Sequence, residues 1–183
     1  MKNKLMKPKF RFPLRLALYL FGAAAMFLWA SPSGAAKPAI VNGGSTGTFN
    51  ADLDGDGDID GTYFGFAVVQ NRSGVEGNFL CMMAAKSDFL GLDLMLVQGR
   101  VSRASFAPTS VRFSGTADVT FEPGDVFADV PFTAIVTAGG PRVGTLQLTL
   151  IGVFDGTPGD TIPGDNNYSL PVETVLTGSI SIH

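Results

Sequence analysis

The densest chemistry in the chain lies in nine residues. Asp52-Leu53-Asp54-Gly55-Asp56-Gly57-Asp58-Ile59-Asp60 follows the spacing D-x-D-x-D-G-x-x-D. Calcium is a hard cation that takes six to eight oxygen ligands in a flexible cage. Alternate positions let the carboxylates of Asp52, Asp54 and Asp56 converge on one centre. Gly57 permits the sharp turn after the third acid, so that the backbone carbonyl of Asp58 can coordinate and Asp60 can close the cage, directly or through water. Ile59 falls where such loops usually pin themselves to a core. Without a cation, five acids in nine residues repel one another; the competing reading is a solvated acidic turn. Calcium is therefore the expected cofactor, in a structural role, with Asp52, Asp54, Asp56, Asp58 and Asp60 as the metal residues.

A second acidic stretch, Asp155-Gly156-Thr157-Pro158-Gly159-Asp160 followed by Asp165-Asn166-Asn167, matches no cation spacing. Its Gly, Pro, Asp and Asn content is turn chemistry, and a surface loop is expected.

Other chemistries find little support. His183 is the single histidine and the last residue, which removes an internal Ser-His-Asp or Cys-His arrangement. Cys81 is the single cysteine, so no intrachain disulfide forms, and its apolar run Phe79-Leu80-Cys81-Met82-Met83 predicts a buried, inert thiol. A carboxylate hydrolase needs two acids about 5 to 10 Å apart. The three glutamates, Glu76, Glu122 and Glu173, are expected on strand edges or polar faces, and no spacing pairs them. No catalytic set is expected.

The elements that must position the acidic loop read as strands. Val111, Phe113, Gly115, Ala117, Val119 and Phe121 alternate with Arg112, Ser114, Thr116, Asp118, Thr120 and Glu122, the period of a half-buried strand. Phe64, Phe66 and Val68 form a similar row, as do Val130, Phe132, Ala134 and Val136, and Leu146, Leu148, Leu150 and Phe154. The Leu92, Leu94, Leu96 alternation favours a strand between Leu90 and Val101, and Thr174 to His183 reads as a closing strand. Turn residues separate these runs at Asn71-Arg72-Ser73-Gly74, Glu122-Pro123-Gly124-Asp125, Ala138-Gly139-Gly140-Pro141 and Asp155 to Asn167. About eight or nine strands at this spacing predict an all-β fold, a single antiparallel sandwich or barrel.

The chain begins with an export signal. Lys2, Lys4, Lys7, Lys9, Arg11 and Arg15 precede an apolar run from Leu16 to Ala30, and the small residues Ser31-Pro32-Ser33-Gly34-Ala35-Ala36 follow. Basic head, apolar middle and small-residue tail are the parts of a cleavable signal. The run is shorter than the roughly twenty residues of a spanning helix. The expected organisation is a signal peptide at 1–36, a flexible arm at 37–47 and an all-β domain at 48–183. Cleavage removes six basic residues and no acid, which leaves seven basic against sixteen acidic residues and shifts the net charge from −3 to −9. Such a domain suits cations and repels nucleic acid and anionic lipid. A secreted or periplasmic location without a stable membrane anchor is expected.

The nine-residue loop resembles the calcium loops of integrin-type β-propeller blades and thrombospondin type 3 repeats. Its start is also similar to an EF-hand loop, but Tyr63 stands at the twelfth position, where that family needs a bidentate Glu. Over most of its length the mature domain resembles a group of small secreted bacterial β proteins with no assigned activity. The likeness is carried by Gly65-Phe66-Ala67 with Gly74-Val75-Glu76-Gly77-Asn78-Phe79, by Val153 to Asp160, and by Leu176-Thr177-Gly178-Ser179-Ile180-Ser181-Ile182-His183. That resemblance implies a fold and export. The function expected from all of this is a calcium-stabilised structural or binding module whose partner is an extracellular protein or a glycan. A carbohydrate-binding module is the alternative, although the mature chain has no Trp and only Tyr63 and Tyr168 besides its Phe residues. A secreted hydrolase ranks last.

Overall fold

The structure, a computed structural model, describes residues 37–53, 57, 59–83, 95–121, 124–139 and 144–183. Residues 1–36, where a signal peptide is expected, lie outside them, as do Asp54, Asp56, Asp58, Glu122 and the segment from Leu90 to Leu94.

Among the described residues nine strands form: β1 (Ala39–Thr48), β2 (Thr62–Asn71), β3 (Gly74–Met83), β4 (Met95–Phe106), β5 (Ser110–Phe121), β6 (Asp125–Thr137), β7 (Thr145–Ile151), β8 (Asn167–Ser169) and β9 (Glu173–Ile182). Each of β1 to β7 pairs antiparallel with the next, except that β7 does not return to β1. Instead β9 runs between them, joined to β1 from Val41–Ile182 to Thr48–Thr174 and to β7 at Thr145–Thr174 and Leu146–Glu173. The sheet is thereby closed into a ring, with β8 lying on the C-terminal half of β7. Between the Thr149–Ser169 and Leu146–Glu173 pairs the β8–β9 side carries one extra residue, at a bulge that contains Pro171.

The alternations read from the sequence govern the wall. Val111, Phe113, Ala117, Val119 and Phe121 face inward and are buried, as are Phe64, Phe66 and Val68, the Val130 to Val136 row and Leu146, Leu148 and Leu150. Phe66, Phe79, Phe113 and Phe132 fill the middle of the ring, with centroids 5.3 to 6.5 Å apart. An eight-stranded ring is just wide enough for side chains to fill it. Local fit is tight: a Cβ at Gly99 would stand 2.6 Å from the Phe132 ring. On β4 the inward residues are Met95, Val97 and Val101, so Leu96 faces out and is half-buried, the reverse of a leucine-lined inner face.

One expectation fails. Residues 37–47 do not form a loose arm, because the strand begins at Ala39 and pairs on both edges, with β2 and with β9. Val41 is its one fully buried apolar anchor; Gly43, Gly44, Ser45 and Thr46 hide the alternation, and the two ladders hold the segment.

The outer wall carries Arg100, Arg112, Thr116 and Asp118 in mid-strand. A membrane-spanning barrel places an apolar band there and a polar lining inside; this ring is built the other way round. Among the described residues no helix is long and apolar enough to cross a membrane.

Candidate functional site

Antiparallel alternation sends the connections to two rims. One rim has the turns after β2, β4 and β6. The other gathers the β1–β2, β3–β4, β5–β6 and β7–β8 connections, three of them long, with residues 49–61, 84–94 and 152–166. Both acidic stretches stand on this long rim.

The first loop is fastened at its base. Phe49 N–H donates to the Asp60 carbonyl and Asp60 N–H donates to the Ala51 carbonyl, each at 3.0 Å. Thr48 Oγ1 accepts from Asn50 N–H at 3.2 Å. Asp60 is 5 % exposed, and its Oδ2 accepts from Leu53 N–H at 2.6 Å. Asp52 Oδ2 accepts from Gly57 N–H at 3.0 Å, and Gly57 has the left-handed φ of 98° expected for the turn. Asp54, Asp56 and Asp58 lie outside the described residues, so Asp52 and Asp60 are the two members of the expected metal set whose places are known. Among the described residues no cluster of three metal-ligating side chains forms. Ile59 is 68 % exposed and pins nothing. Asp60 is the residue that turns inward, so its neighbour points out, and Leu53 packs against the core in its place.

The second loop is built from its own carboxylates. Asp155 accepts from Gly164 N–H at 2.6 Å and Asn166 N–H at 3.0 Å. Asp160 accepts from Gly156, Ile162 and Ser169 N–H at 2.9, 3.1 and 3.2 Å. Asp165 accepts from Asn167 N–H at 2.8 Å. Burial pushes the Asp160 carboxyl up, but these backbone donors and the Asp155 carboxyl outweigh it, and its pKa lies below the ordinary value. Phe154 anchors the loop. It sits at φ 58°, a conformation rare for an aromatic residue, and packs edge-on to Phe121, Phe127 and Tyr168 at 5.2, 5.0 and 6.4 Å.

Beneath the rim lies a buried polar cluster. Thr62 Oγ1 donates to Glu173 Oε2 at 2.6 Å, and both residues are 2 % exposed. Cys81, 1 % exposed, lies beside them; burial and then the Glu173 charge push its thiol up, against a hydrogen bond with Thr62. The Glu173 carboxyl is pushed up to about 7 by burial, with the Thr62 hydrogen bond pulling the other way. The inert, buried thiol agrees with the sequence reading, whereas Glu173 does not stand on a polar face. Its signal was the spacing to Val175, which is buried on the same side. Glu76 is exposed on the outer wall, so these two glutamates occupy opposite faces of the sheet.

The outer wall bears shallow depressions across β2 to β6. One, of about 530 Å³, is lined by Gly65, Asn78, Leu80, Gln98, Arg100 and Asp118; another, of about 410 Å³, adds Thr116 and Asp129. Register places Asn78, Arg100 and Thr116 in one row across three strands, and Leu80, Gln98 and Asp118 in the next. No protein-family model, curated protein or solved structure matches the chain.

Proposed function

We propose that this chain is exported and acts outside the cytoplasm as a calcium-stabilised structural or binding module. The observation that carries the reading is the Asp52–Asp60 loop, clamped to the barrel rim by the Phe49–Asp60 and Ala51–Asp60 bonds and turned at a left-handed Gly57. Asp52 accepts from Gly57 N–H and Asp60 from Leu53 N–H, two bonds that order the loop. Asp52, Asp54, Asp56 and Asp60 would supply carboxylates and Asp58 its carbonyl. The divalent cation would offset two of the five crowded negative charges and tie the β1–β2 connection to the rim. Extracellular calcium near millimolar fills even a weak site of this kind. Thermal melting with millimolar calcium and with chelator tests the reading. The midpoint is expected to rise with calcium and to lose that rise in the Asp54→Asn, Asp56→Asn double variant; a midpoint indifferent to calcium overturns it.

A second reading, glycan binding, is favoured by the polar depressions on the outer wall. Asn78, Gln98, Arg100 and Asp118 present planar donors and acceptors on adjacent strands. Such groups suit vicinal hydroxyls, and Gly65 leaves the floor open. Titration with neutral and uronic-acid hexasaccharides would detect binding that Arg100→Ala abolishes. Heat signals that Arg100→Ala leaves unchanged remove this reading.

A further inference from the structure

The ring is closed where its ladders are shortest. β9 meets β7 at Thr145–Thr174 and Leu146–Glu173, directly after the bulge around Pro171, and then turns to its long pairing with β1. Leu170 N–H to the Leu148 carbonyl and Val175 N–H to the Gly144 carbonyl, each at 3.0 Å, flank that seam. Glu173, the residue at the crossing, points into the barrel. It lies over Gly47 of β1 so closely that any Cβ there would overlap the carboxylate.

The surroundings of this carboxyl are uncharged. β1 offers Gly47 and Thr48, β2 the Thr62 hydroxyl, β3 the Cys81 thiol and β7 Leu146. Beyond Cys81 stands Tyr168 of β8, a buried phenol whose own pKa is raised by burial, then by Asp160, Cys81 and Asp60. The Asp60 carboxylate is turned to Leu53 N–H. The described basic side chains, Lys37, Arg72, Arg100, Arg103 and Arg112, are all exposed. Among the described residues, then, a buried carboxyl has one hydrogen bond and no cation to neutralise it. Ionising such a group where it stands is costly unless water enters or the wall parts.

We propose that Glu173 is a proton-controlled latch on the barrel seam: its neutral carboxyl lets β9 close onto β7 and β1, and its ionisation loosens that closure.

The sign follows from linkage. The closed form keeps its proton up to about pH 7, whereas an open or unfolded carboxyl releases it near its ordinary value of 4.5. Between those values the closed form binds more protons, so closure weakens as pH rises. The open fraction grows about tenfold per pH unit through that window and levels off above it. Stability of the seam is greatest in mild acid, opposite to the usual behaviour of a paired carboxylate. The latch does not depend on whether calcium binds.

Hydrogen exchange on the full chain, corrected for intrinsic rates and run from about pH 5 to about pH 8.5, tests this. The Leu170 and Val175 amides are expected to gain about tenfold in exchange per unit up to about pH 7 and then plateau, while amides of the β4–β5 ladder do not. Glu173→Gln keeps the shape, cannot ionise and is expected to give a flat profile, on the order of a hundredfold slower than wild type at the alkaline end. A wild-type seam with a flat profile, or a rise that survives in Glu173→Gln, overturns the proposal. Should the variant fail to fold, carbon-13 titration of the wild-type Glu173 carboxyl decides: an inflection near 7 supports the latch, and one near 4.5 overturns it.

Discussion

Two acidic loops stand on one rim, and they use their carboxylates differently. In the loop from Asp155 to Asn167, three aspartates accept six backbone N–H groups, and the anchor Phe154 holds a left-handed backbone among three other rings. Those acids serve as caps, and the loop orders itself. In the loop from Asp52 to Asp60, Asp52 accepts from Gly57 N–H and Asp60 from Leu53 N–H, and the charges are packed more densely. Acid content alone therefore does not identify a cation loop. What matters is whether the backbone already satisfies the oxygens.

Phe154→Ala should have the largest effect. It deletes the edge-on ring contacts while keeping the unfavourable φ, and a loss of about 3 kcal/mol is expected by urea unfolding. If the loop is instead a passive surface connection, the variant will be close to neutral.

Calcium should separate the loops next. At a hundredfold excess over its dissociation constant a ligand adds about 2.7 kcal/mol to native stability. Wild type and Asp155→Asn should show the same calcium-dependent rise in melting midpoint, and the Asp54→Asn, Asp56→Asn variant none. An Asp155→Asn protein that loses the calcium response would place the cation in the wrong loop.

Asp160→Ala follows, at about 2 kcal/mol. Three charge-assisted bonds are lost, but the site is partly open to water and the N–H groups can be rehydrated. This cost should be independent of calcium. Its pH signature is opposite to that of Glu173. The folded pKa is depressed, so its contribution is present above the unfolded value of 3.8 and is lost as pH falls through the folded value. Acid titration should therefore show a steeper loss below about pH 4 in wild type than in Asp160→Asn. Parallel acid limbs would show that the three bonds do not favour the charged form.

Much of the fold was legible because period-two alternation survives wherever one face of a strand is buried. The Val111 to Phe121 row stands as read, and the closing strand at the C-terminus closes the ring. β1 was hidden because Gly43 to Thr46 contribute little apolar surface and the strand is held by hydrogen bonds to neighbours distant in sequence. Ile59 was misplaced because spacing within a loop does not say which residue turns inward; the backbone pairing of Asp60 decides it.

The sequence by itself determined the all-β character, the turn at Asn71 to Gly74, the loop at Asp155 to Asn167 and the density of acid at Asp52 to Asp60, because these depend on local composition and periodicity. Tertiary structure alone decided that the sheet closes on itself, that both acidic loops share a rim, and that Glu173 lies inside the wall. Burial of a charge is a property of what the rest of the chain places around it: Thr62, Cys81 and Gly47 come from three other strands, and no spacing along the chain announces their meeting.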